Sequence, residues 1–145
     1  MNQMKTKPKS GYEKVGGMSY LPRMLDKIRL HAAGELHPDF HENLGIVRGG
    51  DGFCCRFLHV TYDEVKRRVL AGASDEEILA WAYSERGRPL NETELMVWNE
   101  FGRKLGWNDA ATPILEKLKA ASGLGKRDDI VTVFEYCEVD EGRKP

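Results

Sequence analysis

Four side chains in one short stretch are of types that do chemistry together: Arg23, Asp26, Lys27 and His31, all within GGMSYLPRMLDKIRLHAAGE (residues 16–35). On a helix Arg23 and Lys27 stand one turn apart, and two cations on one face can hold a carboxylate or a phosphate. Asp26 and His31 are the neighbours able to take and return a proton. Arg23 and Lys27 are therefore the substrate-binding candidates, Asp26 and His31 the catalytic candidates, and a small anionic metabolite the ligand they suit. The competing reading is a plain solvated helix face, whose Arg and Lys stems cover apolar neighbours. Charged helix faces are more often of that second kind. On the pocket reading, Lys27→Met or Arg23→Leu leaves folding intact and abolishes stabilisation by the ligand.

Other constellations carry less. His31, His37 and His41, with Glu35, Asp39 and Glu42, are metal-ligating types, but their spacing matches no ligand signature and Pro38 interrupts it. No metal and no cofactor is assigned. Cys54 and Cys55 are flanked by Phe53, Phe57 and Leu58, which makes them small buried hydrophobes rather than nucleophiles. The glycine-dense GIVRGGDG (residues 45–52) lacks the Gly-Lys-Ser/Thr ending of a phosphate-binding loop and reads as a connection.

The charged stretch needs a frame. Leu21, Met24, Leu25, Ile28 and Ala32 form one apolar stripe over a helix at 20–33, with Ser19 as its N-cap, Pro22 in its first turn and Gly34 as its stop. Leu30 stands on the charged side, so this helix is covered on two sides or lines a cleft. A short helix opens at Pro38, and another spans 53–60. Thr61 with Glu64, Ser74 with Glu77 and Asn91 with Glu94 are capping boxes that start three further helices. Gly72, Gly87 and Gly106 end them, with Trp107 as the apolar contact after the last cap. Thr112-Pro113 begins the next helix, with Ile114, Leu115 and Leu118 inward. IVTVFEYCEV has strand-like composition, yet Ile130, Val133, Phe134 and Cys137 recur at helical spacing and no second strand exists to pair with it, so it reads as a helix. The tail EGRKP reads as frayed. The sum is an all-α protein, a single compact domain of about six or seven short helices over residues 16–145, preceded by a disordered basic arm at 1–15.

The chain has 145 residues and a formal net charge of −1. That balance removes the electrostatic term that drives nonspecific nucleic-acid binding, and no apolar run is long enough for a membrane span. Three cysteines, two of them adjacent, are not a disulfide framework and point to a reducing cytoplasm. Self-association is left open.

The stretches YLPRMLDKIRLHAAGEL, DGFCCRFLHVTYDEVKRRVLAGASDEEILAWAYSERGRP, NETELMVWNEFGRKLGWND and RDDIVTVFEYCEVDEGR resemble a bacterial family known as a domain of unknown function, number five-zero-six-nine. The resemblance implies a single-domain, mostly helical bacterial protein and a helical C-terminal stretch. It makes Arg23, Asp26 and Lys27 part of a family motif, whereas His37-Pro38-Asp39-Phe40-His41 departs from the usual pattern. It carries no catalytic residue over, because the family's activity is not established. Two functions follow. One is an enzyme or binding protein for a small anionic metabolite, with its pocket along the charged face of the first helix. The alternative is a helical interaction or regulatory module without catalysis, using an apolar patch near Trp81, Trp98 or Trp107.

Overall fold

The computed structural model of the chain describes residues 6–145. A small hairpin precedes the first helix: β1 (Lys14–Val15) pairs antiparallel with β2 (Met18–Ser19). Gly16 and Gly17 make its turn with φ of 55° and 81°, the left-handed pair that a two-residue hairpin requires. Two residues per strand leave no alternation to read in the sequence, so the hairpin has no signal there. Residues 6–15 are no free arm: Pro8, Ser10 and Val15 are buried. The rest of the expected arm, residues 1–5, lies outside the described residues.

Seven α-helices follow among the described residues, with one short 3-10 helix at Pro38–Asn43. They are α1 (Leu21–Ala32), α2 (Gly50–Leu58), α3 (Tyr62–Leu70), α4 (Asp75–Arg86), α5 (Glu92–Lys104), α6 (Thr112–Ala121) and α7 (Val133–Asp140). The fold is all-α, as the periodicity indicates. α1 runs through the centre, and Leu21, Met24 and Leu25 have no exposed surface. Burying a side chain of that size contributes about 1.5–3 kcal/mol. Around α1 pack Cys54, Cys55 and Leu58 of α2, Val65 and Val69 of α3, Ile78, Leu79 and Ala82 of α4, and Trp98 of α5. A second, smaller cluster of Leu115, Ile130 and Tyr136 joins α6 to the α7 region.

Local signals explain most boundaries. Ser74 with Glu77 and Asn91 with Glu94 close full capping boxes, whereas Thr61 accepts from the Glu64 amide without the reciprocal bond. Three expectations fail for tertiary reasons. Tyr20, not Ser19, stands at the α1 N-cap, with φ of 75°. Ser19 is held in the hairpin instead, its amide donating to Asn99 Oδ1 and its carbonyl accepting from Trp98 Nε1. α2 starts inside the glycine loop rather than at Phe53. A Cβ on Gly52 would stand 2.4 Å from the carbonyl oxygens of Ile46 and Val47, so the loop folds back directly onto the first turn of the helix. Trp107 is 56% exposed and Ile114 50%, so neither is the inward contact that the spacing indicates.

Candidate functional site

The charged side of α1 is neither a solvated face nor an open pocket. Arg23 and Lys27 are both buried, and each has a carboxylate of its own. Arg23 donates twice to Glu141, at 2.8 and 2.7 Å, and once to the Lys9 carbonyl at 3.0 Å. Its Nη2 also lies 3.8 Å from Cys137 Sγ. Lys27 Nζ stands 2.8 Å from Asp51 Oδ1 and 3.2 Å from the Tyr20 hydroxyl, which itself donates to Asp51 at 2.7 Å. Asp51 Oδ2 accepts from the Gly45 amide at 2.9 Å, so the glycine loop supplies the counter-charge.

The chain ends complete this centre. Ser10 Oγ donates to Glu138 at 2.6 Å, and Arg143 donates to Glu141 at 2.7 Å and to the Pro8 carbonyl. The tail that reads as frayed is thus pinned, with Glu141 5% exposed. Its physical reason is the buried guanidinium of Arg23, which needs a partner out of water.

Burial pushes the Tyr20 hydroxyl up, and the Asp51 carboxylate adds to the rise. Burial likewise pulls Lys27 down, with Asp51 opposing it. For Arg23, burial acts downward, but the doubly hydrogen-bonded Glu141 carboxylate opposes it and the guanidinium stays charged. For Glu141, burial acts upward, and the Arg23 and Arg143 contacts outweigh it, so its carboxyl stays below the usual range. These pairs are internally neutral, which suits joining α1 to the loop, the N-terminal segment and α7.

The other two candidates stand apart from this centre. Asp26 Oδ2 accepts from the Lys9 amide at 2.9 Å. His31 is exposed, its ring edge-on to His41 at 4.8 Å. The structure therefore buries Arg23 and Lys27, each in an ion pair of its own, and leaves Asp26 and His31 outside those pairs. Among the described residues no group of three His, Cys, Asp or Glu converges as a metal site. Burial raises all three thiols, Cys55 to about 12 and Cys137 to about 11, as suits structural cysteines.

A shallow, open groove lies on the far side of α2. Phe53, Arg56 and Phe57 of α2 face Val97, Trp98 and Phe101 of α5 across a groove of about 420 Å³. Phe57 stacks on Trp98 with centroids 5.0 Å apart, and Phe53 meets Phe101 edge-on at 5.7 Å. The Arg56 guanidinium lies 5.6 Å from the Phe53 ring centre and donates to the Val47 carbonyl at 2.6 Å. Behind the aromatic wall is a second cavity of about 20 Å³, which shares Phe53, Trp98 and Phe101 with the groove. Tyr20, Gly50, Gly102 and Phe134 line its inner side.

The sequence places an apolar patch near Trp98 but no groove beside it, because Trp98 and Phe101 also fit the core stripe of α5. A usable signal was present: Met96, Val97 and Trp98 are consecutive, and no single helix face buries three successive apolar residues. Val97 remains 51% exposed and Phe101 41%.

A helical fold, an ionic centre neutralised from within and an aromatic groove define a small all-α protein. The chain belongs to the family described as a domain of unknown function, DUF5069, whose model matches residues 5–143. A search of curated proteins finds no match. Among the described residues no helix is long and apolar enough to cross a membrane.

Proposed function

We propose that the protein binds a small, planar, anionic molecule in the groove between α2 and α5, in the cytoplasm of a bacterium. The observation that carries this reading is the groove itself: a volume within the range of small-molecule sites, aromatic walls, and one cation at its edge. The ligand class expected from Arg23 and Lys27 is retained, but the site is moved. Those two cations are engaged by Glu141 and Asp51, whereas Arg56 is exposed and keeps guanidinium donors for an incoming anion. The three free cysteines accord with a reducing compartment.

1-Naphthoate is a suitable probe, followed by amide and indole NMR shifts. The expected outcome is saturable shifts at Phe53, Phe57, Trp98 and Phe101, with a rise in melting temperature. Arg56→Ala should weaken 1-naphthoate about two- to fivefold, the scale of an exposed ion pair, and leave 1-naphthalenemethanol unchanged. Shifts scattered over the surface, or none, would sink this reading.

A second reading is the interaction module. Met96, Val97 and Phe101 remain exposed together along α5, so the groove continues into an apolar strip longer than a small ligand needs. Resonances of α5 that move with protein concentration, and not with 1-naphthoate, would favour this reading as a self-association face.

A further inference from the structure

Resting on the second of those readings, we propose that the partner at this face is a second copy of the chain, and that the two α5 helices pair antiparallel about a two-fold axis beside Val97. One face of α5 is already occupied. Trp98 and Gly102 are buried. Trp98 Nε1 donates to the Ser19 carbonyl, and Asn99 holds the hairpin through the Ser19 amide and the Gly17 carbonyl. The opposite face carries Thr93, Met96, Val97, Glu100, Phe101 and Lys104, positions that helical spacing sets together. Met96, Val97 and Phe101 are its exposed apolar middle.

The charges at the two ends of this face decide which partner fits. Glu92 is exposed in the first turn, and Arg103 and Lys104 are exposed in the last. The other acids of the helix are engaged within the chain, Glu94 by Arg86 and Arg88, and Glu100 by Arg103 and Lys104. One carboxylate serving two cations leaves the C-terminal end of the face positive, while Glu92 leaves the N-terminal end negative. Such a strip is complementary to its own copy turned end for end.

The register follows from the spacing. Glu92 and Arg103 stand on one flank of the face, 11 residues apart, which is about three turns of helix. With Glu92 of each copy level with the partner's Arg103, the two-fold axis falls midway, between Val97 and Trp98. Each Val97 then lies within one residue of the partner's Val97 along the axis, a rise of about 1.5 Å. Lys104 comes within one residue of the partner's Glu92. A parallel pair would instead set Glu92 against Glu92 and Arg103 against Arg103.

The size of the contact sets its strength. A helix of 13 residues is about 20 Å long, and a contact of that length and one helix wide falls below the roughly 1,200 Å² of a stable interface. The pair is therefore one that dilution separates. Val97 and Phe101 also line the groove, which the second copy then borders.

Sedimentation velocity of the full chain over a concentration series tests the pairing. The wild type should move toward twice the monomer mass as concentration rises. Val97→Asp, at an exposed site, should leave the melting temperature unchanged and keep the protein monomeric. Glu92→Arg and Arg103→Glu should each weaken self-association about tenfold, because two exposed ion pairs per dimer become repulsions. An equimolar mixture of these two variants should recover wild-type association, since each reversed charge then faces an opposite one. A wild type that stays monomeric throughout overturns the interaction reading and this inference with it. Association that Val97→Asp or the charge variants leave unweakened, or a mixture no better than either variant alone, overturns the antiparallel α5 pairing while the interaction reading stands.

Discussion

Arg23 and Lys27 have the same residue types and spacing as an anion site, yet they are structural cations. Their counter-charges, Glu141 and Asp51, lie 118 and 24 residues further along the chain, and sequence patterning has no view of such pairs. The consequence reverses the expectation that Arg23→Leu or Lys27→Met leaves folding intact. Lys27→Met leaves the buried Asp51 carboxylate without its cation, at a cost of about 3–5 kcal/mol, whereas Arg23→Leu leaves Glu141 paired with Arg143 alone and should cost less. Lys27→Met combined with Asp51→Asn should recover most of that loss, because the charge left without a partner is gone. Urea denaturation of the single and double variants measures it; a double variant no better than Lys27→Met alone would contradict the pairing.

Between α4 and α5 a single carboxylate does the joining. Glu94 accepts from Arg88 at 2.6 and 3.0 Å, from Arg86 at 3.2 Å and from the Asn91 amide at 2.9 Å. The hydrogen bond from Arg88 first, then that from the Asn91 amide, holds its carboxyl down at about 2, against an ordinary 4.5. A carboxyl held low in the folded state contributes stability that is present above its unfolded value and is lost as pH falls through its folded value. The window is therefore pH 4.5 down to about 2. Urea midpoints across it should fall less steeply for Glu94→Gln than for the wild type, and the difference should shrink in high salt because the site is exposed. Equal slopes would remove Glu94 from the account. Elements of this kind were legible, since a capping box is closed within four residues of chain. The hairpin and the start of α2 were not, since the first depends on distant Leu79 packing against the turn at Gly16 and the second on the Ile46–Val47 backbone folding back against Gly52.

Across the whole molecule the apolar interior falls into two unequal parts. The larger surrounds α1, and the smaller lies between α6 and the α7 region. α6 buries few side chains, Leu115 and Lys119, and its strongest packing is against α7. Local opening costs least where burial is least. Amide hydrogens of 115–121 should therefore exchange on the order of tenfold or more faster than those of 24–32, as read by hydrogen–deuterium exchange. Equal protection would mean that the two clusters open as one unit. The all-α class was legible at this scale, because seven helices each carry a local periodic signal. The aromatic groove was not, because which apolar faces remain uncovered is settled only when α2 and α5 meet.

The Arg23–Glu141 pair also bears on how the chain is made. Arg23 leaves the ribosome 118 residues ahead of the carboxylate that neutralises it, an interval of about 6–24 s at ordinary rates of elongation. Throughout that interval α1 cannot enter an apolar interior without desolvating an unmatched guanidinium. Burial of the Arg23 side of α1 is therefore expected to follow the synthesis of α7, and a chain stopped before Glu141 should leave that side of the helix unprotected in hydrogen exchange.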